Sequence, residues 1–63
     1  MLKTFSPDHY EELLEKYEDE FGYEINDWSE GELSEFTKEV TGDDPIDIEF
    51  DPQMFLITYT TNA

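Results

Sequence analysis

Hydrophobic positions along this chain follow two periods. Between Ser6 and Gly22 they fall at Tyr10, Leu13, Leu14, Tyr17 and Phe21. At about 100° per residue these form one stripe of roughly 100° of arc, which predicts an amphipathic helix. Its start is well signalled. Ser6 can cap it, Pro7 suits the first helical position and Asp8 favours the positive end of the dipole. Phe5 and Tyr10 have the spacing of a hydrophobic staple, and Gly22 suits a left-handed cap at the end. Tyr23-Glu24-Ile25 reads as an extended connector with two core residues. The next helix opens at Trp28-Ser29-Glu30-Gly31-Glu32-Leu33, where Ser29 and Glu32 match a capping box and Trp28 with Leu33 repeats the staple. Leu33, Phe36 and Val40 form its apolar stripe, Glu32, Glu35 and Glu39 its polar side, and Gly42 its close.

From Ile46 the period drops to two, with Ile46, Ile48 and Phe50 alternating against Asp47, Glu49 and Asp51. That is a half-buried strand. Asp51-Pro52-Gln53-Met54 has the turn residues of a hairpin. With Pro52 and Gln53 central, Phe50 pairs with Phe55, Ile48 with Ile57 and Ile46 with Tyr59, all six facing the helices. The other face then carries Asp47, Glu49 and Asp51 beside Met54, Leu56 and Thr58. Leu2 to Phe5 is a candidate third strand. The expected architecture is α+β, a small single domain over residues 1–63. Two amphipathic helices pack on a C-terminal antiparallel β-hairpin, in the order β-α-α-β-β if the N-terminal strand joins.

Composition narrows the functions open to such a domain. A chain of 63 residues leaves about 40% of its unfolded surface exposed, so its core must be dense. With no Cys, no disulfide or thiolate site can staple it, and the aromatics, 16% of residues, must take that role. The same aromatics argue against disorder. Met1-Leu2-Lys3 lacks the apolar run of a signal peptide and no segment approaches a transmembrane length, so the expected location is cytoplasmic. Eighteen acids against three lysines give a formal charge of −15. That excludes direct binding to nucleic acid or anionic lipid, both of which need a basic footprint, and points to a basic partner.

Among the acids, Asp43, Asp44, Asp47, Glu49 and Asp51 offer oxygen ligands, but the EF-hand spacing is absent and strand alternation splays them in a row. Neither a metal nor another cofactor is expected. Catalysis is not expected either. His9 has a surface position beside Asp8 and Glu12, and the chain lacks Cys and a Gly-rich phosphate loop.

The carboxylates are better read as an array. Residues two apart on a strand lie roughly 6.6 Å from one another, and those one helical turn apart about 5.4 Å along the axis. Both spacings are comparable to neighbouring phosphates along a nucleic-acid strand. Self-repulsion of such a charge destabilises a compact chain, so retaining it suggests a use. In size, charge, lack of Arg and density of aromatics the chain resembles the small acidic DNA-mimic proteins of phages and mobile elements. That group includes inhibitors of restriction enzymes, CRISPR effectors, uracil-DNA glycosylase and histone-like proteins. Its members share neither motif nor fold, so the resemblance implies a role and a partner class, and no residue assignments.

The role implied is a phage-type, non-enzymatic anti-restriction or anti-CRISPR inhibitor, acting in the host cytoplasm. It would block the DNA- or RNA-binding cleft of a basic host protein. The candidate partner-binding residues are Glu11, Glu12, Glu15, Glu18 and Asp19 on the first helix, and Asp43, Asp44, Asp47, Glu49 and Asp51 near and on the strand. Met54 and Leu56 are candidate apolar anchors. An alternative is a small acidic adaptor or antitoxin-like module that neutralises a basic surface unrelated to nucleic acid. A halophile's acidic surface fits less well, given the aromatics and the single Ala. The chain can act as a monomer or a homodimer.

Overall fold

A computed structural model describes residues 1–62. Two helices cover one face of a three-stranded antiparallel sheet. The elements in chain order are β1 (Leu2–Phe5), α1 (Glu11–Phe21), α2 (Glu30–Thr41), β2 (Asp47–Asp51) and β3 (Leu56–Thr60). The sheet order is β1-β3-β2, so the amino-terminal strand does join and sits beside the last strand. The expected β-α-α-β-β arrangement is the observed one.

The entry to the first helix departs from a single continuous helix. Pro7–Tyr10 is a 3-10 turn, and Tyr10 leaves the helical region at φ −129° and ψ 45° before α1 begins. Ser6 is extended, as a cap should be, but its hydroxyl caps nothing. Side chains three apart eclipse in a 3-10 turn. This one brings Pro7 into the core while Tyr10 meets Phe5 edge-on, with ring centroids 5.9 Å apart. The staple thus forms, and the tighter turn accommodates it.

At α2 the local signals suffice. The Glu32 N–H donates to Ser29 Oγ at 3.4 Å and the Ser29 N–H to Glu32 Oε1 at 2.9 Å, completing the capping box. Both helices end on left-handed glycines, Gly22 at φ 89° and Gly42 at φ 80°, a region that a side chain disfavours. Between the helices, Ile25–Asp27 is a 3-10 turn instead of an extended connector. Ile25 is buried there, whereas Tyr23 stays at the surface. The Trp28 indole N–H donates to the Tyr23 carbonyl at 3.0 Å, tying the turn back on itself.

The hairpin is displaced by two residues from the expected register. Asp51 pairs with Leu56, Phe50 with Ile57 and Ile48 with Tyr59, so the loop is Pro52 to Phe55. Asp51 Oδ1 accepts the N–H groups of Gln53 and Met54 at 3.0 and 3.4 Å, which carries the turn one residue further. Phe55 takes a left-handed φ of 55° and its ring meets Phe50 edge-on, centroids 5.4 Å apart. A slip of two preserves the faces, because side chains alternate with period two. Ile48, Phe50, Ile57 and Tyr59 therefore still point inward. Ile46 does not. It lies before the strand and is 65% exposed.

Phe36 lies at the centre of the core, fully buried, with ring centroids of Trp28, Tyr17 and Phe5 at 5.4, 5.8 and 6.1 Å. Leu14, Ile25, Leu33, Ile48, Ile57 and Tyr59 close around it. Aromatic packing thus supplies the cohesion that a cysteine-free chain of this length needs. Thr37, which the apolar stripe of α2 omits, is as deeply buried as Phe36.

Candidate functional site

On α1 the apolar residues Leu14, Tyr17 and Phe21 face the core. At about 100° per residue, Glu12, Glu15 and Asp19 then gather on the opposite side, with Glu11 at its flank and Glu18 on the border of the core face beside Leu14. Glu11, Glu12, Glu15 and Asp19 are exposed. Glu18 is half-buried and has an internal task, its Oε2 accepting the Ile25 N–H at 3.2 Å. Glu12, Glu15, Glu18 and Asp19, with Lys16 among them, line an open groove of about 660 Å³ together with Tyr23 and Glu24. The Tyr23 hydroxyl donates to Glu32 Oε2 at 2.6 Å. That bond raises the Tyr23 pKa and, together with the backbone N–H of Ser29, holds Glu32 below the ordinary carboxylate range.

The helix layer carries acids outside the expected candidates. Burial first, then the negative charges of Glu39, Glu35 and Glu20, pushes the Tyr17 pKa upward, so carboxylates of both helices act on one phenol. Glu35 and Glu39 were legible as one polar side of α2. That they act on Tyr17 together with Glu20 of α1 depends on how the helices pack, which no local signal carries. Acidic density therefore extends from α1 across the helix seam.

Asp43 belongs elsewhere. Its Oδ2 accepts from Lys3 Nζ at 2.9 Å and from the Tyr59 hydroxyl at 2.8 Å. Lys3–Asp43 is the one ion pair among the described residues. The lysine, then the phenol, lowers the Asp43 pKa, while the same carboxylate raises that of Lys3. Tyr59 is raised chiefly by burial. Asp43 fastens the end of α2 to the sheet and is not a free carboxylate for a partner. Asp44, next to it, is exposed.

Asp47, Glu49 and Asp51 lie on the outer face of the sheet, opposite Thr60, Thr58 and Leu56 of β3. Asp51 spends one oxygen on the turn. Met54 is not among these acids: it is at the tip of the turn, 68% exposed. Leu56 is half-buried beside Asp51. Since the helices cover the inner face, the β2 row points away from the α1 row. The expected acidic residues are thus divided between two sides of the molecule.

Among the described residues, no group of three or more His, Asp or Glu side chains is arranged to hold a metal ion, and no helix is long and apolar enough to cross a membrane. Comparison with protein-family models, curated proteins and solved structures finds no match.

Proposed function

We propose that the chain is a non-enzymatic inhibitor whose helix layer imitates a run of nucleic-acid phosphates. It would occupy the basic cleft of a host nucleic-acid-binding protein, a CRISPR effector or restriction enzyme being the class expected. The observation that carries this reading is the α1 stripe of Glu11, Glu12, Glu15 and Asp19, exposed on a helix braced by the aromatic core. A basic cleft normally meets phosphates with Arg and Lys, and carboxylates accept the same charge-assisted hydrogen bonds. A rigid scaffold keeps the ordering cost of that exchange low. Because the two acidic rows face apart, one cleft engages one row, and the α1 row with its helix-seam neighbours is the larger.

The test uses the full chain to capture its partner from a host lysate, followed by challenge with duplex DNA and guide-type RNA. Nucleic acid should displace the chain, and capture should weaken steeply between low and physiological salt as the Debye length shortens to about 8 Å. Combined Glu11→Gln, Glu12→Gln, Glu15→Gln and Asp19→Asn changes should abolish capture while leaving the fold intact. Glu18 is spared because it bonds Ile25. A partner that nucleic acid does not displace would favour the adaptor or antitoxin-like alternative.

A further inference from the structure

We infer that the open edge of β2 is a docking site for an extended basic segment of a partner protein, which adds to the sheet as a fourth strand. This inference goes beyond the reading of the α1 row and does not depend on it. Hydrogen bonding between the outer two strands and β3 fixes which groups are available. The Met1 amino group donates to the Thr61 carbonyl at 2.8 Å and the Thr61 N–H to the Met1 carbonyl at 2.9 Å, so this pair exchanges both bonds. Antiparallel ladders alternate. Thr61, Tyr59 and Ile57 therefore turn their peptide groups toward β1, and Thr60, Thr58 and Leu56 turn theirs toward β2. The Ile46 N–H reaching the Thr60 carbonyl at 2.9 Å agrees with that. Asp47, Glu49 and Asp51 meet those three residues. By the same alternation, the N–H and C=O groups of Ile48 and Phe50 point out of the open edge. β2 pairs with no other strand.

The two sides of that edge differ in chemistry. On the outer face stand the exposed carboxylates of Asp47, Glu49 and Asp51. On the inner side the edge borders a groove of about 400 Å³ in which the apolar Ile25, Trp28, Leu33, Ile48 and Phe50 are joined by Asn26, Glu30 and the edge residue Glu49. A strand laid along this edge alternates its side chains in the same way. Its residues opposite Asp47, Glu49 and Asp51 must be cationic, and those opposite Ile48 and Phe50 must be apolar. The matching sequence is cation-apolar-cation-apolar-cation, with main-chain bonds supplying affinity and alternate side chains specificity.

A second copy of the chain is the occupant that charge argues against. Antiparallel self-pairing about this edge sets Glu49 against Glu49 and Asp47 against Asp51, and like charges directly opposite are destabilising. The acids thus keep the edge from pairing with itself, as charged edge strands do, while leaving it open to a basic strand.

The test titrates isotope-labelled full chain with a short peptide alternating Lys and Val. Its controls are a scrambled peptide of the same composition and an alternating peptide N-methylated at the valines. The alternating peptide should slow hydrogen exchange at the Ile48 and Phe50 amides. It should bind at least about tenfold more tightly than either control, since each lost main-chain bond is worth on the order of 1 kcal/mol. Asp47→Asn with Glu49→Gln should weaken it by about three- to tenfold, from two cross-strand charge pairs. The variant neutralised on α1 should bind it as the parent does, so this result and the nucleic-acid competition can fail separately. Equal affinity for the scrambled peptide, or unchanged exchange at Ile48 and Phe50, would show that charge alone attracts it and overturn the inference. Protection of those amides without peptide, together with dimerisation, would assign the edge to a second copy and overturn it too.

Discussion

Thr37 is fully buried in α2, and its Oγ1 has no hydrogen-bond partner among the described residues. Its carbonyl is engaged, accepting from the Thr41 hydroxyl at 2.8 Å, but its own hydroxyl is not. A buried hydroxyl without a partner costs about 1–3 kcal/mol. Thr37→Val replaces that hydroxyl with a methyl group of similar shape, and the two residues have nearly equal helix propensity. The substitution should therefore stabilise the fold by about 1–2 kcal/mol. For a domain of this size that is a rise in Tm of about 4–8 °C per kcal/mol. The gain is large against a total stability of roughly 3–9 kcal/mol, from about 0.05–0.15 kcal/mol per residue. Thermal and urea unfolding followed by circular dichroism would measure it. Thr37→Ser is the control: it keeps the hydroxyl, removes the methyl, and should cost about 1 kcal/mol through the small cavity left. If the valine variant is less stable than the parent while serine is tolerated, the hydroxyl makes a native hydrogen bond and the reasoning is wrong.

Ser29→Ala removes half of the capping box and should cost about 1 kcal/mol, read as a lower urea midpoint at unchanged slope; an unaltered midpoint would mean that Glu32 alone caps α2. The Lys3–Asp43–Tyr59 cluster should make stability pH-dependent at both ends. Asp43 is depressed when folded, so its contribution is present above the unfolded value of about 3.9 and is lost as pH falls through the folded value. Lys3 and Tyr59 are raised, so theirs is present below about 10 and is lost as pH rises through the folded values. Asp43→Asn should accordingly be less stable than the parent at pH 7, with the difference narrowing below about pH 4. Denaturant midpoints across that range would expose a constant difference, which would refute the assignment.

Much of this molecule was legible because its signals are local. The capping box at Ser29 and Glu32, the glycine stops at Gly22 and Gly42, the Phe5–Tyr10 staple and the alternation from Asp47 to Asp51 each involve residues within a few positions. Backbone sterics and short-range hydrogen bonds decide such features, so the fold class and the inward faces of the elements followed from the chain alone. The breaks in that reading have equally local causes that the pattern does not encode. Asp51 takes two turn amides and moves the hairpin by a pair of residues, and Tyr10 tightens the entry to α1 by packing on Phe5.

What each carboxylate faces was a different matter. The sequence determined that the chain carries a charge of −15 and that its acids recur at helical and strand spacings. Tertiary structure alone decided that Asp43 is held by Lys3 and Tyr59, from the opposite end of the chain and from its last strand. It also decided that Glu18 is tied to Ile25, that Glu20, Glu35 and Glu39 all act on the Tyr17 hydroxyl, and that the α1 and β2 rows look away from each other. Spacing along one element fixes which side chains share its face, but the direction of that face and the groups brought opposite it depend on packing between elements distant in sequence.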